Sequence, residues 1–254
     1  MLVINIYEQP NEVYMSSKKE TVTINTNYVP KLTPDNKEQS IALQHMESDI
    51  PYNFLLGPAG TGKTLMATVY AIKKLLDGTY KKIIITRPAV PVDEDHGYLP
   101  GSILEKLNPW MLPIIDIFME FFDNETIEMM FKEGVIEIAP LAYMRGRNLG
   151  AIMIDENSDK RGFIVIADEC QNSTPEQMKM LLTRLGKNSK MIITGDLSQH
   201  DRGLAKNGLQ DAVNRMDQFK QGELSYISVD KFSKDKVVRS PAVQQVLKLY
   251  PEDN

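Results

Sequence analysis

A single cysteine, Cys170, stands in a chain of 254 residues, so no disulfide framework can hold the fold together and a reducing interior suits the sequence. Three histidines, His45, His96 and His200, are scattered, without the Cys/His spacing of a zinc site. No apolar run approaches the length of a membrane span. The start, MLVINIYEQPNEVYM, lacks the basic segment, apolar core and small-residue cleavage site of a secretory signal. A cytoplasmic protein without membrane contact is the expectation. An excess of positive charge is also missing: 29 Lys and Arg against 34 Asp and Glu leave a net charge of −5. Any nucleic-acid contact must therefore be a local basic patch. Neither an internal repeat nor a low-complexity linker interrupts the chain.

What is present is an ordinary globular composition, 42% hydrophobic and 25% charged, enough for one sizeable domain or two small ones. Residues 1–32 alternate weakly, as in ETVTINTNYV, and read as a strand-bearing extension; residues 33–254 read as the main domain. Thr33 or Asp35 is placed to cap a helix that carries Ile41, Ala42 and His45 and ends before Pro51. YNFLL is then a short buried strand, and a helix over 63–77 has Leu65, Val69, Ile72 and Leu76 on one face. KKIIITRP, VIEIAP, GFIVIADE, KMIITGD and LSYISVD are further strands, and TPEQMKMLLTRLG is a helix. Residues 102–132 read as mainly helical, interrupted at Pro109 and Pro113. Apolar strands alternating with helices predict an α/β domain whose mostly parallel sheet is flanked by helices on both faces. Such sheets hold ligands at the carboxyl ends of their strands.

The charged and glycine-rich motifs fall at those ends. Gly57, Pro58, Ala59, Gly60, Thr61, Gly62, Lys63 and Thr64 satisfy G-x-x-x-x-G-K-[ST], between a strand and a helix. Glycines let the backbone curl so that N–H groups face phosphate oxygens, and the following helix adds its positive end. Lys63 is placed for the β- and γ-phosphates and the Thr64 hydroxyl for Mg²⁺. Two segments offer the acidic half of such a site, AIMIDEN with Asp155-Glu156 and FIVIADEC with Asp168-Glu169. The first runs into the polar turn NSDKRG, so 151–163 reads as a surface hairpin. The second leads into a capped helix with proline at its first position, as a parallel sheet requires, and favours Asp168 for the metal. Glu169, one residue on, is placed to orient and polarise an attacking water, which favours hydrolysis over transfer to a small molecule. MIITGDLSQ ends the next strand at Gly195, Asp196 and Gln199, where Gln199 can report loss of the γ-phosphate. Gln39, upstream, offers the donor and acceptor that match the N6 and N7 edge of adenine.

Together, GPAGTGKT, TRPAV, GYLPGSILEKLNPWMLP, IAPLAYMRGRNL, ADECQNSTPEQMKMLLTRLG, MIITGDLSQ and VVRS resemble the PhoH family, relatives of the ATPase core of superfamily-one helicases. The resemblance covers roughly residues 30–250. It implies a single RecA-like P-loop NTPase domain, ATP and Mg²⁺ as cofactors, ATP hydrolysis, contact with single-stranded RNA or DNA, and a homo-oligomeric ring, a hexamer being favoured. It implies that Thr86, Arg87 and Pro88 hold nucleic acid, helped by Lys81 and Lys82, with Trp110 and Tyr98 as stacking candidates. It also leaves one RecA-like domain where helicases have two, so strand separation by a lone chain is not expected. The arginine that a second domain supplies would come from a neighbouring subunit, from Arg145, Arg147 or Arg239. Residues 151–162 stand as an insertion relative to the family pattern. Two other readings of the same residues remain: an ATP-switched assembly or binding module with incidental turnover, and a small-molecule phosphotransferase.

Overall fold

The computed structural model describes residues 3–16, 21–88, 111–150, 160–199, 207–220 and 222–233. Two long strands open the chain, β1 (Val3–Ser16) and β2 (Thr21–Thr33), paired antiparallel as a separate two-stranded sheet with an irregularity between Glu8 and Asn11. Leu32, near the end of β2, packs into the core of the main domain.

Six parallel strands follow in the spatial order β5-β4-β6-β7-β3-β8. They are β3 (Tyr52–Leu56), β4 (Tyr80–Thr86), β5 (Ile136–Ile138), β6 (Gly162–Ala167), β7 (Lys190–Gly195) and β8 (Ile227–Lys231). Every pairing among them is parallel. The continuous apolar runs arise because both faces are covered and successive side chains alternate between them. Leu55, Ile83, Ile85, Ile164, Ile166 and Ile192 enter one core, with the helices α1 (Lys37–Glu47), α2 (Lys63–Leu76), α3 (Leu112–Met119) and α4 (Asn124–Lys132). Phe54, Leu56, Ile84, Val165, Met191 and Ile193 enter the other, against α5 (Pro175–Leu182) and α6 (Gly208–Met216). This is the RecA-like α/β domain expected from the sequence, and β7 separates the loop-bearing β3 from the acidic β6.

Local signals differ from expectation in three places. The cap of α1 is Asn36, whose side chain accepts from the Gln39 N–H, instead of Thr33 or Asp35; Thr33 is still paired in β2 and therefore cannot end a helix. Pro113 lies in the first turn of α3 and starts that helix instead of interrupting it, because its missing N–H would be unpaired there anyway. α2 is buried on nearly every side, Met66 to Ile72 without exception, so its apolar face is wider than the single stripe read from the sequence. Pro109 and Asp155-Glu156 fall outside the described residues.

Lys190, on β7, is 3% exposed, and its Nζ donates to the carbonyls of Met46 at 2.6 Å and Ser48 at 2.7 Å, closing the carboxyl end of α1. Burial pushes its ammonium down to about 8, against the pull of Asp49 and Glu47. A neutral amine retains two N–H donors, enough for both carbonyls. An unfolded lysine holds its proton to about 10.4. Between those values the unfolded chain binds more protons than the folded one, so this group makes stability rise with pH. Urea unfolding at pH 7.5 and 9.5 should show the stability of the wild type relative to Lys190→Met increasing by up to about 1.4 kcal/mol per pH unit. A gap that stays constant would remove this role for burial.

Candidate functional site

The carboxyl ends of four neighbouring strands bring the motifs together. Register places Thr86 beside Ala167, Ala167 beside Ile193 and Leu56 beside Gly195. The Gly57 N–H then donates to the Gly195 carbonyl at 3.0 Å, and the Asp168 N–H to the Thr86 carbonyl at 2.9 Å. Thus the phosphate loop is tied to β7 and the acidic pair to β4.

Gly57 has φ 154, and a Cβ there would stand 2.5 Å from the carbonyl oxygen of Phe232, so both conformation and space require glycine. Gly60 and Gly62 are left-handed, with φ 81 and 86. Gly62 is the N-cap of α2 and supplies no side-chain cap, and no acidic residue stands in the first turn. The leading N–H groups of this helix form a ready anion site. Lys63 is 9% exposed; its Nζ donates to the carbonyls of Gly57 at 2.6 Å and Pro58 at 2.7 Å. Burial lowers its pKa, while Asp196, Glu169 and Asp168 act in the opposite sense. Pro58, Ala59 and Gly60 lie on the more open part of the loop, and Thr61 is buried with its hydroxyl donating to Pro58 O at 2.8 Å.

Thr64 Oγ1 donates to Asp168 Oδ1 at 2.8 Å across more than a hundred residues of sequence. Asp168 is 1% exposed, and the same oxygen accepts from Thr194 Oγ1. A hydroxyl and a carboxylate already in contact, both hard oxygen donors, fit an ion such as Mg²⁺, which completes its shell with water and phosphate oxygens. Groups of three or more His, Cys, Asp or Glu placed to hold a metal ion are absent among the described residues. Glu169 has φ 54 and ψ 39, a left-handed conformation unusual for glutamate. Cys170 is buried, its thiol donates to Ala167 O at 3.3 Å, and burial pushes its pKa up; it has no accessible chemistry. The helix behind the acidic pair does not begin at once: a 3₁₀ turn, Cys170–Asn172, intervenes before α5, which opens with a capping box of Thr174 and Gln177.

Gln39 is fully buried beside the loop. Its Nε2 donates to Thr61 O at 3.2 Å and its Oε1 accepts from the Asp35 N–H at 2.8 Å. Gln199 is exposed in the turn after β7, with its N–H on Asp196 O at 3.4 Å. Thr86 and Pro88 are buried. Arg87 faces the acidic pair, Nε 3.6 Å from Asp168 Oδ2 and Nη2 3.3 Å from Glu169 Oε1. Lys81 and Lys82 do not extend that charge: Lys82 is four residues, roughly 13 Å, back along β4 from Thr86, and its Nζ pairs with Glu137 at 2.6 Å. Arg147 also pairs with Glu137, at 2.5 Å. Burial alone would raise the Glu137 carboxyl, but Arg147 and Lys82 hold it below the ordinary range. Arg145 is exposed, next to Gly146 with φ 78. Arg239, Trp110, Tyr98 and most of the 151–162 insertion lie outside the described residues.

Three participants escaped the sequence reading. Thr194 and Gln171 enter through single side chains with no motif spacing to mark them, and the attachment of Arg87 to the acidic pair depends on β4 lying next to β6.

A family model described as PhoH, PhoH-like protein, matches residues 31–251. The chain is 39% identical over 254 aligned residues to a PhoH-like protein of Bacillus subtilis, covering 95% of this chain and 74% of that protein. It is 42% identical over 198 residues to a PhoH-like protein of Synechocystis, covering 78% and 56%, and 37% identical over 229 residues to Protein PhoH of Escherichia coli, covering 85% and 60%. The chain thus spans from little more than half to about three quarters of these relatives. Among solved structures it is similar to Bacteroides Pif1 bound to ssDNA (15% identity, TM-score 0.37, 86% of this chain and 46% of that one). It is similar also to the Pif1 helicase of Candida albicans (13% identity, TM-score 0.38, covering 86% and 44%). Matched by the family model over most of its length and by relatives more than a third identical, the chain belongs to the PhoH family.

Proposed function

We propose that the protein is a Mg²⁺-dependent ATPase that couples hydrolysis to single-stranded nucleic acid and works as a ring-forming oligomer. The observation that carries this reading is the meeting of Lys63, Thr64, Asp168 and Glu169 beyond the ends of β3 and β6, the two strands that flank β7, with Thr64 bonded to Asp168. The uncapped start of α2 and Lys63 bind the phosphate chain. Thr64 and Asp168 hold Mg²⁺, which when bound neutralises charge on the β- and γ-phosphates. Glu169 orients and deprotonates the attacking water. Gln39 reads the adenine edge once its amide, buried against Thr61 O and the Asp35 N–H, is uncovered. Gln199 senses the γ-phosphate from the end of β7.

Arg87 is the shared element in the coupling. Its guanidinium is engaged by Glu169 and Asp168, so a nucleic-acid phosphate arriving at the end of β4 competes for it and changes the surroundings of Glu169 in the same event. For the charge donated by a neighbouring subunit, Arg145 is better placed than Arg147, which is held by Glu137 within its own chain. No helix among the described residues is long and apolar enough to cross a membrane.

The test is phosphate release with and without poly(U) or single-stranded DNA, on wild type and on Arg145→Ala, Arg147→Ala and Arg239→Ala, with oligomeric mass measured with and without a non-hydrolysable ATP analogue. The expected result is stimulation by a single strand and a loss of about 10³-fold or more in one arginine variant that still binds nucleotide. Turnover that needs a small-molecule acceptor, or analogue-dependent assembly without turnover, overturns the proposal in favour of a phosphotransferase or a switch. Undiminished hydrolysis in all three variants removes the shared site.

A further inference from the structure

Gln171 lies two residues beyond Glu169 in the 3₁₀ turn Cys170–Asn172 and is 3% exposed. Both ends of its amide are used. Nε2 donates to Glu169 Oε2, and Oε1 accepts from the backbone N–H of Asp196 at 3.2 Å. The two neighbours demand the same orientation of the amide, because a carboxylate can only accept and a backbone N–H can only donate. A Cβ at position 195 would stand 2.9 Å from Gln171 Oε1 and 2.4 Å from Leu209 Cδ2. Glycine at the end of β7 therefore leaves room for the bridge to form.

The carboxylate that Gln171 grips needs such a hold. Glu169 is 37% exposed at its side chain and sits on a left-handed backbone. A glutamate side chain left to rotate has rotamer freedom to lose before it can act. Arg87 restrains one oxygen, Oε1, at 3.3 Å, but that guanidinium is shared with Asp168. Gln171 restrains the other from a fully buried frame, with a charge-assisted hydrogen bond.

We infer that Gln171 is a positioning residue for hydrolysis: it fixes the Glu169 carboxylate relative to the end of β7, so that the base is set by the same turn that carries Asp196 and Gln199. The inference rests on the reading of Glu169 as the group that activates water. Its consequence is coupling between the turn and the base along the amide. A shift of the peptide unit joining Gly195 to Asp196, caused by arrival or loss of the γ-phosphate at this turn, moves the base through Gln171 and the phosphate loop through the Gly195 carbonyl in the same event.

Two variants test it. Gln171→Met keeps length and burial and removes both hydrogen bonds. Gln171→Glu keeps an acceptor for Asp196 and sets a carboxylate against Glu169. For each, kcat and KM for ATP, the Kd of a non-hydrolysable analogue, and the melting temperature are measured. The expected result is a fall in kcat of about 10- to 100-fold in Gln171→Met, in line with the cost of misplacing a catalytic group by about 1 Å. Analogue Kd stays within about threefold, and Gln171→Glu loses at least as much rate. A kcat within twofold of wild type in both variants overturns the inference. So does a rate loss matched by an equal loss of analogue affinity, which marks Gln171 as a structural prop of the loop. Should Gln171→Met unfold at the assay temperature, Gln171→Glu decides by the same criteria. Glu169→Gln measured in parallel keeps the two readings apart: undiminished turnover there removes the base itself, whereas lost turnover there with unaffected Gln171 variants removes only the positioning.

Discussion

Glu169→Gln is expected to lower phosphate release by about 10²- to 10⁴-fold, the range for losing a general base, while nucleotide binding stays equal or tightens. The substitution is nearly isosteric. The new amide oxygen can still accept from Gln171 Nε2, so the side chain keeps its place while losing its capacity to take a proton. What changes is charge. Asp168, Glu169 and Asp196 all act on Lys63, and a triphosphate entering this group meets three carboxylates against Lys63 and Arg87. Removing one negative charge favours the ligand, so the analogue Kd should fall or remain unchanged. Arg87 loses its Glu169 partner but keeps Asp168. Single-turnover phosphate release and analogue titration on the same preparation check both halves. Hydrolysis within threefold of wild type would show that water is activated elsewhere. Weakened binding would show that Glu169 serves the nucleotide and not the water.

The fold was legible where one local signal sufficed. YNFLL is β3 residue for residue, and continuous apolar runs announced a sheet buried on both faces. The choice of Asp168 as the acidic end of a parallel strand followed from the capped helix behind it, and β6 ends at Ala167 as that argument needs. Strand order was beyond the sequence, because it depends on which crossovers pass over which neighbours; β7 lying between β3 and β6 is visible only in three dimensions. Site partners were lost for the same reason. Thr194 is one more residue in an apolar run until register puts it against Asp168, and Gln171 is one polar residue after an acidic pair until the 3₁₀ turn folds it back onto Glu169. Arg87 reads from the sequence as a nucleic-acid phosphate contact at a strand end, and only the neighbouring strand reveals that its guanidinium also faces two carboxylates. Residue type and spacing thus located the phosphate loop and the acidic pair, while the side chains that hold them in place required the neighbouring strands.

Lys63→Met is expected to weaken binding of a non-hydrolysable ATP analogue by at least about 100-fold, roughly 2.7 kcal/mol, with hydrolysis lost in consequence and the fold retained. Lys63 reaches across the loop to the carbonyls of Gly57 and Pro58. Methionine fills the same channel with an unbranched apolar chain and leaves those two carbonyls without that donor, so melting should change by no more than a few degrees. The loss falls on the ligand because of what surrounds the lysine. Burial disfavours its charge, and it is three carboxylates, Asp196, Glu169 and Asp168, that act to keep it protonated. Take the ammonium away and those carboxylates face the triphosphate without the cation that lies among them. Lys63→Arg separates charge from geometry: it restores a cation, but a planar fork cannot reproduce a compact ammonium between two loop carbonyls, so affinity should recover only in part. Full recovery in the arginine variant would mean that net charge alone matters and that the close fit of the loop around Lys63 has no role. Unaltered affinity in the methionine variant would mean that the loop's N–H groups and the end of α2 bind the phosphates unaided, and the electrostatic account of this site would fail with it.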